Sequence, residues 1–401
     1  KNMPGSNGSE LNYFGRVRSL PPTVLFEDEE GNMKLGPGTA DGNQMYQPDQ
    51  WWNDNQSDKF TMSQSFKIDI LKNLSLTANM NWYYSETYQE SFTKDYENTP
   101  GNFVRTRSAT AYYNRDFRQT YNAVLNYNET FFLDHHVEVM LGMEYYNKYQ
   151  RGFEAQGQGA PTDDLPDLSL TDKGEGKRTI NSWHEKQRIL SFFGRLNYDF
   201  KDKYLLSFVF RRDGYSSLLG DNRWGFFPSV SVGWRLSEES FIKNNTQIFD
   251  NLKIRASYGV MGDDQFLDSS GNPQVLPFQY LTGYNYPGGT NYIFGSDVVN
   301  SLITKGLANT EYSWLTSKIL NVGFDASLWN RKLEASVDVF YRKRDGLFAY
   351  RSGSLPNTFG ASFPQENLNS DDFRGFELVL GHTNTVGDWT YSVKGLSLIH
   401  I

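Results

Sequence analysis

A few short stretches carry the residue types that catalysis or metal binding would need. His135 and His136 follow Asp134 in the segment ETFFLDHH. Two adjacent histidines without further ligands in a short turn point to solvated side chains, and only five His occur in the chain. Gly157-Gln-Gly159 lacks the third glycine and the strand-to-helix setting of a nucleotide loop. Asp268-Ser-Ser-Gly271-Asn272 partly matches a calcium loop without the spaced acids that end in Glu, which leaves Ca²⁺ in that connection open and no other cofactor expected. The carboxylate pairs Asp163–Asp164, Asp263–Asp264 and Asp371–Asp372 are chain neighbours, and adjacency in a loop does not set acid–base geometry. Cysteine is absent, so disulfides and thiolate metal sites are excluded. These residues predict no enzyme.

Binding chemistry is better represented. QPDQWWND (47–54) and QYLTGYNYPGGTNY (279–292) set Trp51, Trp52, Tyr284, Tyr286 and Tyr292 among amides and carboxylates. Flat aromatic faces beside planar polar groups suit sugar rings or peptides. For any one ring, packing of loop on loop or against a partner is the more ordinary role. Charge adds an exclusion: 39 Lys+Arg stand against 47 Asp+Glu with no basic block, so no nucleic-acid footprint is expected.

The elements that must position these residues are strands. Only 38% of the 401 residues are hydrophobic while 16% are aromatic, with 25 Tyr and 29 Phe. That balance suits β structure and disfavours disorder. No apolar run is long enough for a membrane helix. Strand-like segments come in pairs: 59–71 with 74–88, 116–128 with 137–149, 188–198 with 204–212, 225–236 with 252–261, 317–328 with 333–344, and 373–380 with 389–394. Short links join the members of each pair, among them Lys72–Asn73, DFKDK and WNRK. The link SEESFIKNNTQIFDN is long enough for one helical turn. Long connections rich in Gly, Asn, Asp, Ser and Tyr separate the pairs, at roughly 89–115, 150–187, 213–224, 262–316 and 345–372.

Strict alternation of short and long links is the habit of outer-membrane barrels, whose short turns face the periplasm and whose long loops face outside. Strand faces agree. Leu333, Ala335, Val337 and Val339 alternate with Glu334, Ser336 and Asp338; Leu252, Ile254, Ala256 and Tyr258 with Lys253, Arg255 and Ser257; Leu190, Phe192, Leu196 and Tyr198 with Ser191, Arg195 and Asn197. Burying such charges in a sandwich would cost several kcal/mol each. A wet lumen on one side and lipid on the other removes that cost, so Arg195, Arg255, Glu334 and Asp338 are predicted to face the lumen. Trp82, Tyr83, Tyr84, Tyr145, Tyr146, Trp234, Trp329, Tyr341 and Trp389 read as interfacial girdles. The expected fold is all-β: an antiparallel up-and-down transmembrane β-barrel, here about twelve strands of a larger one. Residues 1–58 are expected to be an extracellular loop region with a preceding strand remnant, and 59–395 the barrel portion.

One stretch is specific enough to suggest a family. NYDFKDKYLLSFVFRRDGYSSLLGDNRWGFFPSVSVGWRLSEESF at Asn197–Phe241, followed by LKIRASYGVMGDD at Leu252–Asp264, resembles SusC/RagA-type TonB-linked outer-membrane transporters. The resemblance implies a barrel of roughly 22 strands with an N-terminal plug, driven by the TonB complex, lidded by a SusD-like surface lipoprotein, and importing oligosaccharides (glycans) or peptides. With no signal peptide, TonB box, plug or terminal aromatic strand in view, the chain is expected to be the middle of such a barrel and not competent for transport alone. A structural or adhesive surface barrel that binds partners through its long loops is the alternative, and a soluble sugar-binding β-protein a more distant one. The closing LSLIHI (396–401) resembles a translated library adapter, so Leu396–Ile401 is expected to be non-native.

Overall fold

The computed structural model describes residues 27, 29–31, 51–99, 101–244, 248–263, 278–286, 291–351, 356–361 and 363–400. Twelve long strands form one sheet: β1 (Trp51–Leu71), β2 (Leu74–Thr93), β3 (Ser108–Phe131), β4 (His135–Gly157), β5 (Arg178–Phe200), β6 (Tyr204–Tyr215), β7 (Trp224–Arg235), β8 (Phe249–Asp263), β9 (Leu315–Leu328), β10 (Leu333–Tyr350), β11 (Gln365–Val386) and β12 (Trp389–His400). Each strand hydrogen-bonds to its neighbours in sequence, so the sheet is an up-and-down meander. The expected pairs are all found, but two short links are tighter than expected: ETFFLDHH shrinks to 132–134, which puts His135 and His136 at the start of β4 rather than in the turn, and GHTNTVGD shrinks to 387–388. The link between β7 and β8 holds the short helix Ser240–Lys243. No described helix is long and apolar enough to cross a membrane.

The strands overrun their expected limits at the long-connection end. β1 begins at Trp51, inside the segment expected as loop, and β4 runs on to Gly157. Beyond the apolar alternation the extra residues follow no apolar period of two, and the ladder's backbone hydrogen bonds do not need an apolar face. Trp82–Tyr84 and Tyr145–Tyr146, expected near strand ends, therefore lie well inside β2 and β4.

The chain divides into two compact units. One comprises 1–63, 81–119 and 148–186; the other comprises 64–80, 120–147 and 187–401. In the first, the connection after β4 is tied down locally. Arg107 donates to Asp163 at 3.0 Å and pairs with Asp95 at 3.2 Å, while Phe92, Ala109 and Ala160 bury together with Leu168 against them. Asp163 thus has a structural partner. Gly157 is required by a close approach, since a Cβ there would sit 2.2 Å from Thr171 Oγ1.

In the second unit the sheet has two chemically opposite faces. Register from β6 to β11 sets Leu206, Val232, Ala256, Val322, Val339 and Phe376 side by side. The next row is Tyr204, Trp234, Ile254, Phe324, Val337 and Leu378. Many of these are open to the surroundings: Val232 is 51% exposed, Val322 49% and Val339 58%. A continuous, unburied aliphatic surface of this breadth is not stable in water. Trp224 and Trp234 stand about ten residues apart on β7, which is ~33 Å along a strand and ~25 Å along the normal at a tilt of ~40°, the height of a barrel's lipid band.

β12 keeps this alternation only in part. Trp389, Tyr391 and Val393 fall on the apolar face and Ser392 and Lys394 on the polar one, but Leu396 and Leu398 then pair with Val379 and Glu377 on the polar face. The strand nonetheless stays in register to His400.

Placing arginine at Val339 near the middle of the exposed apolar face should cost about 2–4 kcal/mol in folding free energy in lipid. Ser257→Arg on the opposite face should cost far less. Folding titrations of the full-length protein in lipid vesicles check this, and equal penalties would void the assignment of faces.

Candidate functional site

The polar face of the second unit is built from the alternate residues of the same strands. Asn197, Ser207, Ser231, Ser257 and Asn321 lie in one register row. Asn197 donates to Glu138 at 3.0 Å and accepts from Ser207 at 2.7 Å. Small hydroxyls and amides keep the row low, and a hollow of about 410 Å³ opens over it, reaching His136, Lys253 and Arg255. A neighbouring hollow of about 260 Å³ holds Asp325, Glu334, Ser336 and Lys394.

Arg255 lines the first hollow and pairs with Asp325, which lines the second. Its row reads Gly233, Arg255, Gly323, Asp338 and Glu377. The guanidinium crosses Gly323 to donate to Asp338 at 2.6 and 2.7 Å and to Asp325 at 2.9 Å. Ser336 donates to Asp325 at 2.7 Å. Gly323 is what permits the reach, because a Cβ there would stand 2.5 Å from Arg255 Cζ. Two carboxylates on one arginine satisfy its forked donors and leave the cluster net negative.

A second network sits nearer the long connections. Arg211 donates to Asp213 at 2.8 Å, to Ser191 at 2.9 Å and to Glu144 at 3.3 Å. Asp213 and Ser191 are buried. Just beyond, the chain turns into a small core of Tyr215, Leu218 and Tyr312, packed with Trp314 and Phe348. Gln187 donates to the Tyr215 hydroxyl at 3.1 Å, and Asn309 Nδ2 donates to the Gln365 carbonyl at 2.6 Å. These contacts anchor the described parts of the connection, 278–286 and 291–314, to the strand ends.

The sequence-predicted residues divide accordingly. Arg255 and Asp338 are joined as an ion pair, Glu334 lines the neighbouring hollow, and Arg195 lies on the same face in register with Val209. Tyr284, Tyr286 and Tyr292 all belong to the anchored connection and are 65%, 68% and 58% exposed. Tyr284 pairs with Thr304, while Tyr292 pairs with Val299 in a separate ribbon. Trp52 is exposed on β1 in the other unit, and the side chain of Trp51 lies outside the described residues. The calcium-like stretch 268–272 lies outside them too. Among the described residues, no group of three or more His, Asp or Glu is placed to hold a metal. His135 instead meets the Tyr198 hydroxyl at 2.7 Å, and His136 meets Thr130.

Sequence reasoning missed Asp325 and the Arg211 network. Asp325 was within reach of the alternation argument, since β9 reads Leu320, Val322, Phe324 against Asn321, Gly323, Asp325. Nothing local marks Glu144 as the partner of Arg211.

At the short-turn end one carboxylate organises the rim. Glu239 accepts from Tyr204 at 2.8 Å, from Trp234 Nε1 at 3.1 Å and from Lys203 at 3.4 Å. The Tyr204 hydroxyl, then the Trp234 indole, hold its carboxyl below the usual carboxylate range.

Residues 4–399 match the family described as TonB dependent receptor-like, beta-barrel. The chain belongs to that family. It is 29% identical to TonB-dependent receptor P3 of Formosa agariphila over 282 residues, covering 69% of this chain and 26% of that one. It is 28% identical to TonB-dependent receptor SusC of Bacteroides thetaiotaomicron over 313 residues, covering 78% of this chain and 29% of that one. The solved RagAB peptide transporter superposes with a TM-score of 0.74 at 21% identity, over 92% of this chain and 40% of that one. The chain thus spans about a quarter to a third of the curated relatives it matches. The SusC/RagA resemblance and the transmembrane β-barrel fold are borne out. The protein is an outer-membrane barrel of a non-enzymatic family.

Two outcomes follow from these contacts. Gly323→Ala and Asp338→Asn both disturb the Arg255 pair, so their stability losses in the full-length barrel should be non-additive by about 1 kcal/mol. Simple additivity would mean that the pair contributes nothing. For Glu239, a depressed folded-state pKa means that its contribution is present above the unfolded value and lost as pH falls through the folded one. The stability gap between the parent and Glu239→Gln should therefore hold from pH 7 to about 5 and close below about pH 4. Thermal unfolding across that range reads it.

Proposed function

We propose that this chain is wall and surface connection of a TonB-dependent importer that takes up an oligosaccharide or a peptide through the outer membrane. The observation that carries the reading is the two-faced sheet: an unburied apolar face of barrel-band height, backed by a polar face with hollows and paired charges. On this reading Arg195, Arg255, Glu334 and Asp338 line the interior, where they meet water and a plug supplied elsewhere in the protein. The aliphatic rows meet lipid.

The short turns, including Lys201–Lys203 and Trp329–Lys332, face the periplasm, and the connection 278–314 faces outside. The two ribbons of the anchored connection then present Tyr284, Tyr286 and Tyr292 to incoming ligand, each a flat face for a sugar ring or a peptide side chain. A SusD-like surface lipoprotein covers this side, and the TonB complex supplies energy from the other. Support for both partners comes from the similarity to SusC and to RagAB.

The test uses the full-length protein in its host. Each of Tyr284→Ala, Tyr286→Ala and Tyr292→Ala should weaken capture of a fluorescent oligosaccharide or peptide about three- to tenfold with the barrel still folded. Uptake should vanish when the proton gradient is collapsed. Capture without energy-dependent uptake would favour an adhesive surface barrel. Cysteine placed in 281–286 should label on intact cells and cysteine at Lys201 should not; the reverse pattern would invert the orientation.

A further inference from the structure

In the first compact unit, β2 to β5 also present two different faces. On one, Tyr113 stacks on Phe153 with ring centres 5.7 Å apart, and Tyr84 meets Phe117 edge-on at 6.4 Å. The alternate residues make the other face: Asn114, Asp116 and Arg118 on β3, Lys148 and Gln150 on β4, and Glu185 on β5. Its charges close on each other. Lys148 Nζ lies 3.0 Å from Glu185, and Arg118 Nε donates to Asp116 at 2.9 Å. Trp183 stands among these groups, a large ring on a polar face whose four charges cancel.

The ring rests on a gap in the wall. Gly152 lies against it, and a Cβ there would stand 2.4 Å from Trp183 Cζ2. Trp183 Nε1 donates to Asn114 Oδ1 at 3.3 Å, and Gln150 Nε2 donates to the same oxygen at 3.0 Å. Tyr112 flanks the indole, ring centres 5.6 Å apart and planes inclined by 34°. Two donors on one oxygen leave the Asn114 amide N–H groups and the Gln150 carbonyl without a partner among the described residues. Trp183, Asn114 and Gln150 are all half-buried, so the ring and both amides stay within reach of a ligand. Gly152 comes shortly before the end of β4 and Trp183 shortly after the start of β5, which puts the group at the long-connection end.

An aromatic ring edged by one spare amide donor and one spare amide acceptor matches a sugar. The C–H face of a pyranose lies on the indole, and neighbouring hydroxyls, each able to donate and to accept, meet the two amides. The cancelled charges offer no hold to the charged termini of a peptide. We propose that Trp183 is a stacking platform for one ring of a neutral oligosaccharide, with Asn114 Nδ2 donating to its hydroxyls and Gln150 Oε1 accepting from them. This rests on the polar face being the interior of an importer, and it chooses the sugar over the peptide.

The full-length protein, purified in a sugar-free detergent, is applied to an array of neutral hexose and pentose oligosaccharides and, in parallel, to an array of unmodified peptides. Circular dichroism confirms that each variant is folded. The parent should bind oligosaccharides. Trp183→Leu keeps an apolar body over Gly152 without a flat ring, and should weaken that binding about tenfold. Trp183→Phe should keep most of it. Gly152→Ala pushes the indole off its seat and should weaken binding as Trp183→Leu does. Sugar binding undiminished in both Trp183→Leu and Gly152→Ala overturns the platform. Binding to peptides alone, or to neither array, overturns the choice of sugar. The expected array result, together with no proton-gradient-dependent uptake by the parent in cells, would overturn the importer reading instead.

Discussion

Inside hydrocarbon no water is available to an unpaired peptide group, so every backbone N–H and C=O of a spanning segment must find its partner within the protein. That constraint decides the architecture before any side chain is considered. A helix meets it locally, but this sequence has no helix long and apolar enough among its described residues. Strands meet it only through neighbours, and the cheapest neighbour is the next strand in the chain. Hence a meander in which each long strand pairs with those before and after it. Pairing is indifferent to side chains, which explains why β4 runs on to Gly157 long after its apolar alternation has stopped.

With the backbone satisfied by geometry, side chains are free to make the two faces differ. The apolar face has only to be greasy, and it tolerates a varied set of valines, leucines and aromatics. The polar face is more demanding, because a charge beside a membrane must be neutralised or solvated. Arg255 shows the solution: two carboxylates from two other strands, and a glycine at 323 to let the guanidinium through. The glycine is as much a part of that ion pair as its charges are.

The strands and the two faces were legible in the sequence because a period of two is a local property, repeated along each strand. Hairpin links were legible for the same reason: Lys72–Asn73 and Trp329–Lys332 interrupt two alternating runs and leave little room for anything but a turn. Three things were not. Strand ends beyond the alternation carry no periodic mark. Partners such as Glu144 and Arg211 lie 67 residues apart, joined by a register that no single strand encodes. The core under the long connections, Tyr215 with Leu218 and Tyr312, gathers residues from segments that each read as loop.

The stretch that carried the resemblance is also the one with the most separate duties. Within Tyr204–Glu239, the Tyr204 hydroxyl and the Trp234 indole meet on Glu239 at the short-turn rim. Leu206 and Val232 pair on the apolar face, and Ser207 and Ser231 on the polar one. Arg211 closes a network on the buried Asp213, and Tyr215 begins the anchor of the connection that displays the exposed tyrosines. Along the aliphatic rows of the wall a residue has only to be apolar, and many substitutes would serve. Here consecutive residues answer to rim, lipid, interior and surface connection in turn, and few sequences satisfy all four. A motif recognisable from one chain alone is what such crowding of constraints produces.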